Sequence, residues 1–263
     1  MSIKRQTPIF DRITDRRSVI VTLTRDYPRG HVIALHMHDR DQLVYASRGV
    51  MTVRTGTNTW VVPTYRAVWI PQMVPHTITM SGMVAMRTLY LKPGLVRTLL
   101  RGCCVLNVSP LLNELILHVC SRRALGTSVA WQRHLIDVLI DQLKSIQSLP
   151  LQLPNPLDSR ALRVAEALLA DPGNRQRLGQ ICTASGASGR TVERLFRDET
   201  GMTLGNWRQQ LRMMHALRLL GEGAKVTHAS LEAGYSSPSA FIAAFRRSLG
   251  TTPTLYLRAS ALP

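Results

Sequence analysis

The stretch ASGASGRTVERLFRDETGMT, residues 184–203, has a counterpart in AGYSSPSAFIAAFRRSLGTT, residues 233–252. Each copy places a turn glycine ahead of an amphipathic segment, and each closes that segment with Phe-Arg, three residues, and Gly-x-Thr. A glycine turn between two short helices is typical of a helix-turn-helix. The repeat therefore predicts two helix-turn-helix units in tandem, which can enter two successive major grooves of double-stranded DNA.

Apolar periodicity and capping residues predict the helices around this repeat. Ser188 is a predicted N-cap for the second helix of the first unit, and Ser237 followed by Pro238 starts the second helix of the other unit. The remaining predicted helices are residues 159–170, 178–184, 203–220 and 226–233. The helix at 203–220 is long enough to hold the two units roughly one DNA turn apart, since a helix rises about 1.5 Å per residue.

The outward faces of the two second helices differ in chemistry. The first carries three arginines at helical spacing, which suit guanine edges and phosphates, while the second offers a hydroxyl, methyl groups and one arginine. A solvated basic helix face is the alternative reading of the arginines. The predicted DNA-contacting residues are Arg190, Thr191, Glu193, Arg194 and Arg197 in the first unit, and Ser239, Ala240, Ala243 and Arg246 in the second. We expect the first unit to read bases, and the second to add phosphate and thymine-methyl contacts.

Residues 160–258 resemble the DNA-binding domain of the AraC/XylS family of bacterial transcription regulators. The resemblance rests on GRTVERLFRDETGMTLGNWRQQLRMMHAL and AGYSSPSAFIAAFRRSLGTTPTLYLR, and it includes the closing Gly-Thr-Thr-Pro at 250–253. The segment Ser230-Leu231-Glu232 departs from the alanine-rich pattern that is usual before the second turn. It lies on a supporting helix, so DNA binding is still expected.

The N-terminal part of the chain is predicted to consist of short strands. Alternating or β-branched runs separated by turn residues indicate a sandwich or small barrel. The predicted strands are residues 18–24, 31–36, 49–55, 67–70 and 85–91. Two apolar stripes of helical period then predict helices at 109–121 and 129–148, and three prolines between residues 149 and 157 predict an extended linker.

Two segments of this N-terminal part resemble the motifs of the cupin barrel. The first runs from Gly30 through His36 and His38 to Gly49, and the second ends at His76. In metal-binding cupins a histidine pair, a carboxylate and a later histidine bind the ion, but here Gln42 occupies the carboxylate position. The resemblance implies a metal or effector site at His36, His38, Gln42 and His76, with a divalent metal as one occupant. Pocket or packing histidines are the alternative.

The fold predicted for the whole chain is α+β with two domains. A cupin-like β-barrel with following helices precedes an all-α domain of tandem helix-turn-helix units. The predicted divisions are a sensor barrel at 1–92, a helical dimerisation or packing region at 93–148, a linker at 149–157 and the DNA-binding domain at 158–263.

Composition limits the classes of protein that fit. Lys and Arg exceed Asp and Glu by 17. Most of this excess precedes residue 155, so charge alone is weak evidence for DNA binding. No apolar stretch approaches the ~20 residues that span a bilayer, so we expect no membrane contact and a cytoplasmic, nucleoid-associated protein. The cysteines lack a metal-binding spacing, and we expect buried thiols at Cys103, Cys104, Cys120 and Cys182.

The sequence favours a sequence-specific transcription regulator, not an enzyme, that responds to a small effector or a metal. The expected partners are double-stranded DNA, a second copy of the chain, an effector and, for an activator, RNA polymerase. The alternative is a cupin metalloenzyme of dioxygenase type fused to a DNA-binding domain, and Gln42 in place of a carboxylate counts against it. A purely architectural DNA binder with a degenerate barrel is a third interpretation.

Overall fold

The computed structural model describes residues 9–11, 15, 17–56, 58–96, 102–146, 148–149 and 152–259. The chain forms two compact units. The first comprises residues 1–56 and 60–152, and the second comprises 57–59 and 153–263. The first unit is rich in β-sheet and the second is largely helical, which confirms the predicted α+β class. Within the described residues, no helix is both long and apolar enough to cross a bilayer.

Most strands of the chain belong to the first unit. The sheet runs in the order β1, β3, β7, β4, β6, β8, β10, and β2 also pairs with β7. The strands are β1 (Ile9–Asp11), β2 (Ile20–Tyr27), β3 (Val32–His38), β4 (Asp41–Arg54), β5 (Asn58–Val62), β6 (Arg66–Ile70), β7 (His76–Leu91), β8 (Cys104–Asn107), β9 (Ala124–Leu125), β10 (Ser148–Leu149) and β11 (Gln152–Pro154).

Two of these strands are much longer than the sequence predicts. β4 and β7 pair antiparallel, and their register shifts between Ala46 and Val50. Gly49 and Gly82 both have a positive φ, so each strand changes direction there without ending. The strands predicted at residues 49–55 and 85–91 therefore match only the second half of β4 and of β7.

Helices α1 (Pro110–Cys120) and α2 (Ala130–Lys144) each pack one apolar face into the core of the first unit. The predicted helix at 129–148 ends early, because residues 148–149 form β10 and pair with β8. Of the cysteines in this unit, Cys120 is buried, whereas Cys103 and Cys104 are only half-buried. The buried side chains shared by sheet and helices include Ile20, Leu43, Tyr45, Trp69, Leu89, Leu112, Ile116, Val119, Ile136, Leu139 and Leu143.

The second unit contains the two predicted helix-turn-helix pairs. Helices α4 and α5 form the first pair, α7 and α8 form the second, and α6 joins them. A further helix, which the sequence did not predict, follows Thr252. The helices are α3 (Ser159–Ala170), α4 (Leu178–Ala184), α5 (Gly189–Thr200), α6 (Leu204–Gly221), α7 (Val226–Glu232), α8 (Pro238–Leu249) and α9 (Pro253–Ala259).

The repeated sequence phrase produces the same local structure twice. The Ser188 hydroxyl accepts the Thr191 amide at the start of α5, and the Ser237 hydroxyl accepts the Ala240 amide at the start of α8. Gly201 and Gly250 end these two helices in the left-handed conformation, which glycine adopts at little steric cost. The phenylalanine of each copy is fully buried, so both second helices are fixed to the core by the same contact.

Candidate DNA-reading helices and histidine cluster

Helix α5 presents the predicted DNA-contacting residues of the first helix-turn-helix on one face. Its buried side chains are Val192, Leu195 and Phe196. Arg190, Arg194 and Arg197 are exposed on the outside, and Thr191 and Glu193 are half-buried beside them. A helix with one apolar face against the core and a donor-rich face toward solvent is the arrangement that enters a major groove.

Acidic neighbours engage two of the three arginines. Arg194 forms an ion pair with Asp198 at 3.3 Å, and Arg197 forms one with Glu193 at 3.2 Å. The second carboxylate oxygen of Glu193 accepts the Leu204 amide at 3.2 Å, so this side chain also holds the start of α6. Among the described residues, Arg190 has neither an ion pair nor a hydrogen bond through its side chain. The arginine face is therefore less positive than the sequence reasoning assumed.

Helix α8 carries the predicted DNA contacts of the second helix-turn-helix. Ser239, Ala243 and Arg246 are exposed, and Ala240 is half-buried. Arg247 is exposed next to Arg246, and α8 contains no acidic residue. Arg247 is not among the predicted contacts, which include only one arginine on this helix. We call α5 and α8 the reader helices. Helix α8 has two arginines and no carboxylate, whereas the three arginines of α5 are matched by three acids, so α8 is the more positive of the two.

The three predicted histidines of the first unit meet inside the sheet. His36 and His38 are two residues apart on β3 and therefore lie on the same face of the strand. His36 lies directly opposite His76 in the register of β3 with β7. A β-bulge between Ile33 and His36 sets this register. All three side chains are buried, and their ligand atoms lie within 4.8 Å of one another. The structure thus brings the three predicted histidines together in one buried cluster.

Backbone carbonyls set the tautomers of the three rings. The Nδ1 atoms of His36, His38 and His76 lie 2.9, 2.7 and 2.8 Å from the carbonyl oxygens of residues 34, 40 and 74. A carbonyl oxygen only accepts, so each Nδ1 carries the hydrogen and each neutral ring keeps its Nε2 lone pair. Burial lowers the pKa of His76 to about 3, and its Nε2 has no hydrogen-bond partner among the described residues.

Gln42 completes the cluster. Its Oε1 lies 2.8 Å from His38 Nε2, and its Nε2 lies 3.3 Å from the hydroxyl of Tyr90. A lone pair on His38 Nε2 would face a second acceptor in this orientation. A cation bound to both atoms would remove this repulsion between two acceptors. Rotation of the Gln42 amide, so that its NH₂ group donates to the ring, would also remove it. The nearby Asp41 turns away, because its carboxylate accepts the amides of Gln72 and Gly94.

The donor set of this cluster suits a divalent transition metal. Imidazole nitrogens bind zinc at about 2.0–2.1 Å, and a hydrogen bond from the other ring nitrogen to a carbonyl is the usual way to orient such ligands. Three Nε2 atoms and one amide oxygen would give a site of three nitrogens and one oxygen without a carboxylate. The residues present therefore fit a metal, with Gln42 as the weakest ligand of the four.

The two units match known family models. A helix-turn-helix domain model matches residues 181–259, and an AraC-like ligand-binding domain model matches residues 18–205. Fold and site thus define a DNA-binding transcription regulator with an N-terminal ligand-binding domain. The chain belongs to the AraC/XylS family of regulators.

Similar proteins extend along most of the chain. It is 34% identical to the HTH-type transcriptional regulator NimR of Escherichia coli K12 over 223 residues, which cover 85% of this chain and 81% of NimR. It is 25% identical to the thermoregulatory protein LcrF of Yersinia pestis over 82% of this chain and 79% of LcrF. A solved structure of fatty-acid-bound ToxT from Vibrio cholerae aligns with a TM-score of 0.38 and 12% identity, over 90% of this chain and 94% of ToxT.

Proposed function

We propose that α5 supplies most of the base-specific contacts of this regulator and that α8 supplies backbone and thymine-methyl contacts. The observation that carries the proposal is the repeated, serine-capped second helix of each helix-turn-helix, together with Arg190 of the first copy, which is exposed and has no side-chain partner among the described residues. Thr191, Arg194 and Arg197 share that face, while Glu193 orients Arg197. Ser239, Ala240, Ala243 and Arg246 are the corresponding contacts of α8.

Selection of bound duplexes from a random pool, repeated at two salt concentrations, tests this proposal. A protein that reads bases in two successive grooves should enrich a short motif with two parts, and the same motif at both salt concentrations. Binding that weakens with salt and enriches no motif would leave only phosphate attraction, and it would refute base reading by α5.

We further propose that His36, His38 and His76 hold a divalent metal through Nε2, with Gln42 Oε1 as a fourth ligand. The supporting observations are the shared Nδ1–H tautomer of the rings and the facing acceptors of His38 and Gln42. A bound metal would place a positive charge in a buried site and could bind an effector in an open position. A small effector bound directly to the histidines is the alternative occupant.

Metal analysis of purified protein tests this site. Wild-type protein should hold close to one equivalent of metal, and His36→Ala and His38→Ala should lose it, whereas His134→Ala on the exposed face of α2 should retain it. Metal-free protein that still binds its DNA and responds normally to its signal would rule out the metal proposal.

The chain acts, we infer, as a homodimer and without enzymatic activity. Leu111 of α1 and Trp131 and Val138 of α2 are apolar yet about half exposed, which supports a helical contact with a second copy. The part of the structure that is described groups no carboxylate with the histidines, whereas a dioxygenase-type site generally uses two histidines and a carboxylate. If it activates transcription, RNA polymerase is a further partner, and its place of action is the cytoplasmic nucleoid.

A further inference from the structure

The helical unit contains an arginine-lined cavity of about 480 Å³ that lies outside both reader faces. Helix α6 forms one wall, the loop before α4 forms another, and the turn between α7 and α8 closes the third side. The polar side chains lining it are those of Arg175, Gln176, Arg208, Gln209, Arg212 and Ser236. None of the described residues that line it carries a carboxylate, so its chemistry is that of hydrogen-bond donors and positive charge.

Two of these arginines converge on one carbonyl group. Arg208 Nη1 donates to the Gln176 carbonyl at 2.8 Å, and its Nη2 donates to the Asn174 carbonyl. Arg212, one helical turn further along α6, donates to the same Asn174 carbonyl at 2.6 Å. Two guanidinium groups are thereby fixed side by side, with their long side chains already ordered before any ligand binds.

Neutral backbone groups do not balance this charge. Arg208 is only 9% exposed, and neither Arg208 nor Arg212 has an ion pair within the part of the chain described. Burial lowers the pKa of Arg212, and the charges of Arg208 and Arg175 lower it further. The Nε–H groups of Arg208 and Arg212 are buried, and no described residue accepts a hydrogen bond from either of them. Buried cations with spare donors are costly, and an anion within reach offsets that cost.

The turn of the second helix-turn-helix is fitted closely around this arginine cluster. A methyl group at Gly234 would lie 2.6 Å from the Gly173 carbonyl and 3.0 Å from the guanidinium of Arg212. Only glycine allows the turn to approach Gly173 and Arg212 this closely, so the turn packs directly against the arginine cluster. Ser236, which lines the cavity, directly precedes the N-cap of α8. A DNA strand that bounds the groove entered by α8 would therefore pass near the cavity mouth.

We propose that this arginine cavity binds a phosphate group of the DNA backbone next to the groove that α8 enters. The proposal rests on the DNA-binding function of the two helix-turn-helix units. The contact is independent of base sequence, and it fixes the position of the second reader helix through α6 and the Gly234 turn. Arg175 and Arg208 donate to the phosphate oxygens, while Arg212 contributes charge and holds the turn.

The test measures the affinity for duplex DNA, of selected and of random sequence, as a function of salt for wild type, Arg175→Gln and Arg208→Gln. One lost phosphate contact reduces the slope of log K against log salt by about 0.9. The loss of affinity relative to wild type should then be about 3.5-fold larger at roughly 50 mM than at 200 mM salt. The preference for selected over random DNA should stay unchanged, because the contact reads no base.

Arg218→Gln is the matched control. It removes the same charge from an exposed position on the same helix, outside the cavity, and should leave the slope close to that of wild type. Arg208→Gln could weaken folding because Arg208 holds the loop before α4, so circular dichroism accompanies each variant. Arg175 is exposed and has only a 3.5 Å contact with the Leu231 carbonyl, which keeps Arg175→Gln informative if Arg208→Gln fails to fold.

Three outcomes count against the arginine cavity as a DNA-phosphate site. Arg175→Gln could change the slope no more than Arg218→Gln does. It could alter base preference instead of salt dependence. Finally, wild type could bind inorganic phosphate or ATP to saturation below millimolar concentration, and Arg175→Gln could abolish that binding without changing the salt slope of DNA binding. This result would assign the cavity to a free phosphate or phosphate ester. Failure of the random-pool selection would concern base reading only, because the slope comparison needs no preferred sequence.

Discussion

Replacing Arg190 with alanine should weaken binding to the selected DNA site much more than binding to random DNA. Arg190 is exposed one residue after the start of α5, and the N-terminal residues of a recognition helix are those that reach base edges. Because its side chain makes no ion pair or hydrogen bond in the described structure, nothing has to be broken before it contacts DNA. Its whole contribution should therefore appear in binding.

The size of the effect follows from the contact that would be lost. A bidentate arginine–guanine pair contributes about 1–3 kcal/mol of discrimination, which corresponds to roughly 5- to 150-fold in affinity. Arg194 should show a smaller effect, since it must first leave Asp198. Both partners of that pair are more than half exposed, so the pair is worth only about 0.3–0.5 kcal/mol. Arg190→Ala should thus exceed Arg194→Ala by a measurable margin.

Fluorescence anisotropy with labelled duplexes measures this difference. Affinities are taken for the selected site, for single-base variants of it and for random DNA, at one fixed salt concentration. Arg190→Ala should lose discrimination at one base pair and retain it elsewhere, and Asp198→Asn, which removes an acid beside the DNA, should bind all sequences more tightly. An equal loss by Arg190→Ala on every duplex would show that Arg190 contacts phosphate and would refute the base-reading assignment.

Three other predictions address the first unit. Gln42→Glu should bind zinc on the order of tenfold or more tightly than wild type, because a carboxylate replaces a neutral ligand, and competition with a metal indicator checks it. The free energy of unfolding of chelator-treated protein should decrease as pH falls from about 6.5 towards 3. His76 takes up a proton in the unfolded chain in this range, whereas burial keeps its ring neutral in the folded protein. Denaturant titration should show a weaker pH dependence in His76→Gln. Val138→Asp should shift the protein towards monomer in sedimentation experiments, and an unchanged dimer would contradict the proposed helical interface.

Local sequence signals predicted the helical unit well. The serine caps at 188 and 237, the terminal glycines and the apolar stripe of α6 act within one or two helical turns, so they can be read without knowledge of the fold. The missed helix α9 has the same kind of signal. Thr252 precedes Pro253, and the Thr252 hydroxyl accepts the Leu255 amide at 3.4 Å.

Features that depend on distant residues were not predictable in this way. β4 and β7 continue past Gly49 and Gly82 because each is paired with a partner strand, which the sequence does not reveal locally. The histidine cluster was found because the cupin resemblance links His76 to the pair at 36 and 38. The tautomers, however, depend on carbonyls that only the folded chain places. The hydrogen bond from the Leu204 amide to Glu193 likewise needed the position of α6, whereas the pairing of Glu193 with Arg197 is an i,i+4 contact within α5.

The distribution of charge within the helical unit separates recognition from attachment. Helix α5 carries as many acids as arginines, so we expect its long-range attraction to DNA to be small and its arginines to act mainly at contact distance. Excess positive charge lies instead on α8, with Arg246 and Arg247, and in the proposed phosphate site, where Asp171 offsets only part of the charge of Arg208. A reader helix that is weakly attracted to phosphates discriminates better among sequences, because less of its binding energy is common to all DNA. We therefore propose that the two copies of one duplicated motif have complementary roles, with specificity supplied by α5 and affinity by α8.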